Sequence, residues 1–325
     1  MTIFERNHKL LACAVGITLA AVTVAGQGRP TDSRVLPRTP WGDPDLQGVW
    51  SIATITPFER PASLADKAQL TVEEAAELEK TNLKVNNQDR RDGAGTDADL
   101  ARAYNDFWWD RGTKVVATRQ TSLVVDPPDG RVPALTPQGQ QRAAARAARG
   151  YDSWADRSLW ERCITRGLPM IPGPYNNNYQ IFQTPGYVVI LHEMIHDARI
   201  IPLNGPLDGR PHIAQNIRQW FGDARGRWEG NTLVVDTTNF TDKANFRGST
   251  EGLHLVERFT RINANTVKYE FMIDDPTTFT KKWTVAIPMA QTDERIYEYA
   301  CHEGNYGMVN LLKGARVQEK AAGEK

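Results

Sequence analysis

Tyr187-Val188-Val189-Ile190-Leu191-His192-Glu193-Met194-Ile195-His196-Asp197-Ala198-Arg199-Ile200-Ile201-Pro202 admits two readings that lead to different folds. Its centre, His192-Glu193-Met194-Ile195-His196, matches the zincin pattern His-Glu-x-x-His. In that chemistry a helix sets two imidazoles one turn apart on zinc, and the glutamate polarises the metal-bound water. The flanks argue against a helix. They are rich in β-branched residues, Pro185-Gly186 precedes them and Pro202 follows, so the whole stretch reads as extended chain. On extended chain His192, Met194 and His196 share one face while Glu193, Ile195 and Asp197 share the other, because successive side chains alternate. The peptidase roles are not assembled that way. The alternative is a zinc-dependent hydrolase with His192 and His196 as ligands, Glu193 as base and a third ligand from His212, His254 or an acidic residue.

Outward from this stretch, short strands alternate with turn residues. Segments 179–183, 187–191, 199–203, 232–238, 254–262, 266–274, 279–288 and 296–303 read as strands, parted by Pro185-Gly186, Glu229-Gly230-Asn231, Asn263-Ala264-Asn265 and Asp274-Asp275-Pro276. Val267, Tyr269, Phe271 and Ile273 share one face of their strand, and Trp283, Val285 and Ile287 one face of the next. So many consecutive strands must hide their edges. The expected fold is mainly β: an antiparallel meander curled into a barrel-like sheet, with N-terminal helices packed outside. The glycine-rich run 222–231 leads into a strand rather than a helix, so it is a hairpin approach and not a phosphate cradle.

The part before Tyr179 is mixed. Residues 46–55 read as a first strand, and Thr71-Val72-Glu73-Glu74 is a capping box opening a helix toward Leu83. A polar, mobile loop is expected over 86–97, a helix over 98–109, a strand over 115–125 and a second clear helix from Thr136-Pro137 to Arg149. The expected organisation is therefore a mixed α/β region over 41–178, an antiparallel β region over 179–316 and a disordered tail over 317–325.

The beginning of the chain reads as a secretory signal peptide over 1–26. Arg6 and Lys9 precede an uncharged apolar run from Leu10 to Gly26, too short for a spanning helix, with cleavage near Gly26 or Gln27. Leu10-Leu11-Ala12-Cys13 has the letters of a lipoprotein box, but a box ends the apolar run and here most of that run follows Cys13. Residues 27–40 form a tether. Export puts the mature protein in the periplasm or outside the cell, with no membrane span. Cys163 and Cys301 then remain in an oxidising compartment, where a disulfide between them is expected; two buried free thiols are the alternative. Lysine plus arginine equals aspartate plus glutamate at 39 each, and no basic stripe or aromatic–basic interleaving is read, which sets nucleic acid aside as a partner. No Gly-x-Ser-x-Gly, Walker loop or dinucleotide fingerprint occurs.

All five histidines beyond the signal, His192, His196, His212, His254 and His302, lie in the strand-rich half. Antiparallel strands can gather such residues on one inner face, as an acid/base or metal site in a cavity. The candidate catalytic set is His192, Glu193, His196, His254, Glu257, His302 and Glu303. Trp228, Arg258, Tyr269, Trp283 and Tyr299 are candidate pocket walls. The competing view puts the histidines in turns bonded to backbone and the tryptophans in ordinary core.

Three stretches, 41–50 (Trp-Gly-Asp-Pro-Asp-Leu-Gln-Gly-Val-Trp), 222–231 and 297–307, resemble a family of exported bacterial proteins of unestablished function. The resemblance covers nearly all the chain beyond the signal. It implies export and a common fold and transfers no catalytic residues. The strand order is loosely similar to that of lipocalin-like barrels, which implies an apolar ligand. The leading expectation is an exported small-molecule-binding protein for an apolar or aromatic compound, with His/carboxylate acid–base chemistry as an extension. No cofactor is required on that reading, and zinc belongs to the hydrolase alternative. A non-catalytic envelope-binding module is the third reading.

Overall fold

A computed structural model describes residues 36–323, apart from 92, 101–105, 107, 108, 150–152, 204–210 and 245. The expected signal peptide and most of the expected tether lie outside the described residues. Ten strands form one antiparallel sheet: β1 (Gly48–Ser51), β2 (Val124–Asp126), β3 (Asn178–Thr184), β4 (Tyr187–His192), β5 (Asp197–Pro202), β6 (Asp223–Glu229), β7 (Thr232–Thr238), β8 (His254–Asn263), β9 (Thr266–Asp274) and β10 (Trp283–Gln291). Their order is β5-β4-β3-β1-β10-β9-β8-β7-β6, with β2 also on β10.

The expected meander is thus two runs, β3 to β5 and β6 to β10, joined side by side by an early strand. Trp50 of β1 lies opposite Tyr179 of β3 and Gln291 of β10. Curling brings the two outer strands together, and Leu203, just beyond β5, bridges Gly226 of β6. A Cβ at Gly226 would lie 2.7 Å from the Leu203 side chain and 3.0 Å from that of Ile201. The missing side chain therefore lets the seam nearly close, and the sheet is a barrel with almost no free edge.

The period-two reading holds inside. Val267, Tyr269, Phe271 and Ile273 of β9 are buried and face the interior beside Trp283, Val285, Ile287 and Met289 of β10, with Tyr269 opposite Ile287 and Phe271 opposite Val285. Trp50, Phe259, Ile181 and Ile190 complete a core filled by side chains. The hairpins turn at Gly186 (φ 85°) and Gly230 (φ 61°), left-handed positions that a side chain disfavours.

Helices pack outside. In α1 (Val72–Val85) the capping box is formed: Thr71 Oγ1 accepts the Glu74 N–H at 3.2 Å and Glu74 Oε2 accepts the Thr71 N–H at 2.8 Å. α2 (Asp97–Leu100) covers only the start of the helix expected over 98–109. α3 (Pro137–Arg149) is as expected, and its Arg142 donates to Thr277 O at 3.0 Å and Thr278 Oγ1 at 2.7 Å. α4 (Tyr306–Gly323) takes the end of the expected β region, 306–316, and most of the expected disordered tail. Among the described residues no helix is long and apolar enough to cross a membrane.

Other differences have physical causes. The strands expected over 46–55 and 115–125 shrink to Gly48–Ser51 and Val124–Asp126; Arg119 takes a left-handed backbone (φ 54°), which breaks the second. The run 222–231 is itself mostly strand, β6. Residues 296–303 form no strand. The side of β10 that faces away from β9 is taken by β2 at Thr284 and Val285 and by β1 at Ala290 and Gln291, so no edge remains for them. Instead this segment ends at the expected disulfide, Cys163–Cys301, whose Cα atoms are 5.6 Å apart.

Candidate functional site

The stretch 187–202 is a hairpin rather than one extended run. β4 ends at His192, a tight turn follows in which Ile195 (φ 66°) and His196 (φ 54°) are left-handed, and β5 returns from Asp197. The two imidazoles therefore do not share a face: His192 is 1 % exposed inside the barrel, while His196 is exposed in the turn. The helical zincin arrangement is not formed. Among the described residues no group of three or more His, Cys, Asp or Glu is placed to hold a metal ion.

Alternation along β4 points Val188, Ile190 and His192 inward. The His192 ring packs against Tyr179 (centroids 4.9 Å) and Phe221 (5.3 Å), and among the described residues neither ring nitrogen has a hydrogen-bond partner. Burial, with a smaller push from the Arg199 charge, drives its pKa down to about 3, so the ring is neutral at pH 7. Arg199, inward on β5, donates from Nη1 to Glu257 Oε2 at 2.6 Å and from Nη2 to Thr237 Oγ1 at 2.7 Å. Tyr269 OH donates to Glu257 Oε1 at 2.8 Å and accepts the Met170 N–H at 3.2 Å. Burial, then the Glu257 charge, raises the Tyr269 pKa well above its usual 10.0. Sequence reasoning singled out His192, Glu257 and Tyr269 but passed over Arg199 and Thr237, whose inward facing depends on register.

The remaining candidates lie elsewhere. Glu193 is buried, accepts the Asn178 N–H at 3.1 Å, and burial raises its pKa. His254 stands outside the sheet, its Nε2 2.8 Å from Asp236 Oδ2. Asp236 Oδ1 is 2.9 Å from His212 Nε2, and His212 Nδ1 is 2.8 Å from Asp223 Oδ2, a chain of alternating imidazoles and carboxylates. Arg258 lies on the outer surface, donating to Glu229 Oε2 at 2.7 Å. Trp228 packs on the core near the seam, and Trp283 sits among Phe58, Phe246, Phe271 and Phe279. Tyr299 stacks on Tyr175 (6.4 Å, 15°), and His302 and Glu303 are exposed beyond the disulfide. The single inner-face His/carboxylate site is therefore not assembled.

A different site is. A cleft of about 720 Å³ is walled by Arg146 and Arg149 of α3, by residues from 154 to 171 and by residues from 242 to 248. Leu168, Pro169 and Ile171 line it, and Met170 between them donates its N–H to Tyr269 inside the barrel. The cleft thus lies on the outer side of the segment that covers the buried Arg199–Glu257–Tyr269 network. Six arginines, Arg146, Arg149, Arg157, Arg162, Arg166 and Arg247, and Lys243 line it against Asp156 and Asp242. Arg149 Nε is 3.5 Å from Asp156, Arg157 is 3.8 Å from Glu161, and Arg247 is 3.2 Å from Glu59. Arg162 stands 4.8 Å over the Trp154 ring and Arg166 5.7 Å over the Trp160 ring. The aromatic and basic residues do interleave from Trp154 to Arg166, a signal present in the sequence and not read there as one. The other walls come from segments far apart in the chain. No known family model, curated protein or solved structure matches this chain.

Proposed function

We propose that this is an exported protein that binds a small molecule, and that the ligand occupies the cleft above the barrel network. The observation that carries the reading is the cleft itself. Its 720 Å³ falls within the range of about 300–1,000 Å³ typical of ligand pockets. Its lining combines indole rings and apolar floor residues with cationic side chains, the mixture that holds an aromatic or apolar body and orients a polar group. The barrel interior, expected from sequence to hold the ligand, is filled by side chains; His192 and Glu257 are at most 1 % exposed, and Glu257 reaches the segment under the cleft only through Tyr269 and the Met170 N–H. Export is supported by the basic-then-apolar order of the first 26 residues and by the Cys163–Cys301 bridge.

The test is thermal unfolding of the mature protein with a panel of small aromatic compounds, repeated with Ala244→Trp, which fills the cleft. A ligand at 100 times its Kd stabilises a protein by about 2.7 kcal/mol, and that gain is expected to vanish in the variant. Stabilisation that survives unchanged in Ala244→Trp, or none with any compound, overturns the proposal.

A further inference from the structure

Resting on the small-molecule reading, we infer that the ligand of this cleft is an organic anion carrying at least two negative charges, bound by Arg162, Arg166 and Lys243. Apart from Arg146, the cations of the cleft divide into two kinds. Arg149, Arg157 and Arg247 each have a carboxylate within 4.0 Å and are neutralised in place. Arg162, Arg166 and Lys243 have none among the described residues.

What holds the two arginines is ring surface. The faces of Trp154 and Trp160 attract a guanidinium through their quadrupole and do not cancel its charge. A guanidinium resting on an indole keeps its N–H donors in its own plane, pointing past the ring, where a phosphate or carboxylate can take two at once. Trp154 is 58 % exposed, so the Arg162 pair faces the open cleft, while Arg166 is half-buried at its wall. Set against Asp242 in the same cleft, the three cations leave a net positive charge, in a chain whose total charge is zero, until a counter-charge arrives. One negative charge balances only part of that excess. A phosphate monoester or a pair of carboxylates removes it, and the neighbouring indoles accept the rest of the molecule.

The experiment is calorimetric titration of the mature protein with phenyl phosphate, benzene-1,2-dicarboxylate, benzoate and benzyl alcohol at two salt concentrations. The two dianion arms separate a phosphate ligand from a dicarboxylate. At least one dianion is expected to bind about tenfold or more tighter than benzoate, and to weaken at the higher salt. Arg162→Gln and Arg166→Gln are each expected to weaken that binding about tenfold or more, since each removes a charge-assisted hydrogen bond. Lys268→Gln, on the outer face of β9, leaves it unchanged. Should a glutamine variant fail to fold, Arg162→Lys and Arg166→Lys keep the charge and lose the paired donors, and a smaller loss is expected. Benzoate or benzyl alcohol binding as tightly as the dianions, without salt dependence, overturns the charge inference and leaves the small-molecule reading standing. If none of the four binds, the charge inference falls, and the small-molecule reading is decided by the thermal-unfolding panel alone.

Discussion

Arg199 on β5 and Glu257 on β8 meet inside the barrel at 2.6 Å, and they belong to strands near opposite ends of the sheet. β5 is one end strand and β8 is third from the other, so the pair fastens the curled sheet across its seam. Both charges are removed from water, and Thr237 and Tyr269 satisfy part of what the pair leaves over. Removing one member of such a pair strands the other, at a cost of about 3–5 kcal/mol, whereas replacing both by apolar residues can be nearly neutral. Glu257→Leu and Arg199→Leu are each expected to lower stability by about that amount in urea unfolding, and the double variant to recover most of it. Single variants within 1 kcal/mol of the parent would show that the pair does not hold the seam.

Acid should act on the barrel through His192. Its native pKa of about 3 lies below the ordinary 6.5, so the unfolded chain binds a proton that the native one refuses between those values. Its contribution to stability is therefore lost as pH falls from 6.5 toward 3. His192→Leu is expected to flatten that slope, read as the difference between variant and parent urea midpoints from pH 7 to pH 4. A constant difference over that range would refute the assignment.

His254 has the opposite sign. Its hydrogen bond to Asp236 raises its pKa above 6.5, and the same bond first, then that to His212, lowers the Asp236 pKa below 3.8. The pair's contribution is whole between those two values. It fades as pH rises through the native histidine pKa above 6.5, and again as pH falls below 3.8 through the native aspartate pKa. The stability gap between parent and His254→Gln is expected to be widest near pH 5 to 6, by roughly the window these shifts define, and narrower at pH 8.5. A gap that widens toward pH 8.5 would contradict it.

The bridge between Cys163 and Cys301 spans 138 residues of sequence. On the chain-entropy account a loop of this size stabilises by about 4–5 kcal/mol, because it restricts the unfolded chain. It also ties the start of the segment that floors the cleft to the run before α4. Cys163→Ser with Cys301→Ser is expected to lower stability by about 3–5 kcal/mol relative to the oxidised parent. Reductant should do the same to the parent and nothing to the variant; an effect on both would point elsewhere.

Much of this could be read along the chain. Val267 to Ile273 and Trp283 to Ile287 alternate, and alternation is a property of backbone geometry that needs no partner to be recognised. Thr71 and Glu74 cap a helix through contacts three residues apart. The histidines resisted for the converse reason. His192 and His254 both end or begin strands, yet one faces the filled interior and the other the outer surface, and only the registers of β4 with β3 and of β8 with β7 decide which. Residues 296–303 resemble a strand by composition and are denied a place because β1 and β2 already occupy β10.

The sequence by itself determined the mainly β class, the inward faces of the long strands and the capped helices, since each follows from local conformational preference; it made the Cys163–Cys301 bridge the expected pairing, which the structure then settled. Only the tertiary structure decided that β1 joins two separate runs, that Gly226 lets the seam draw in, and that α3, residues 154–171, residues 242–244 and residues 246–248 meet in one cationic cleft. Those outcomes depend on which distant backbone edges pair with each other. Such pairing is a competition among all strands at once, and no single stretch of residues records its result.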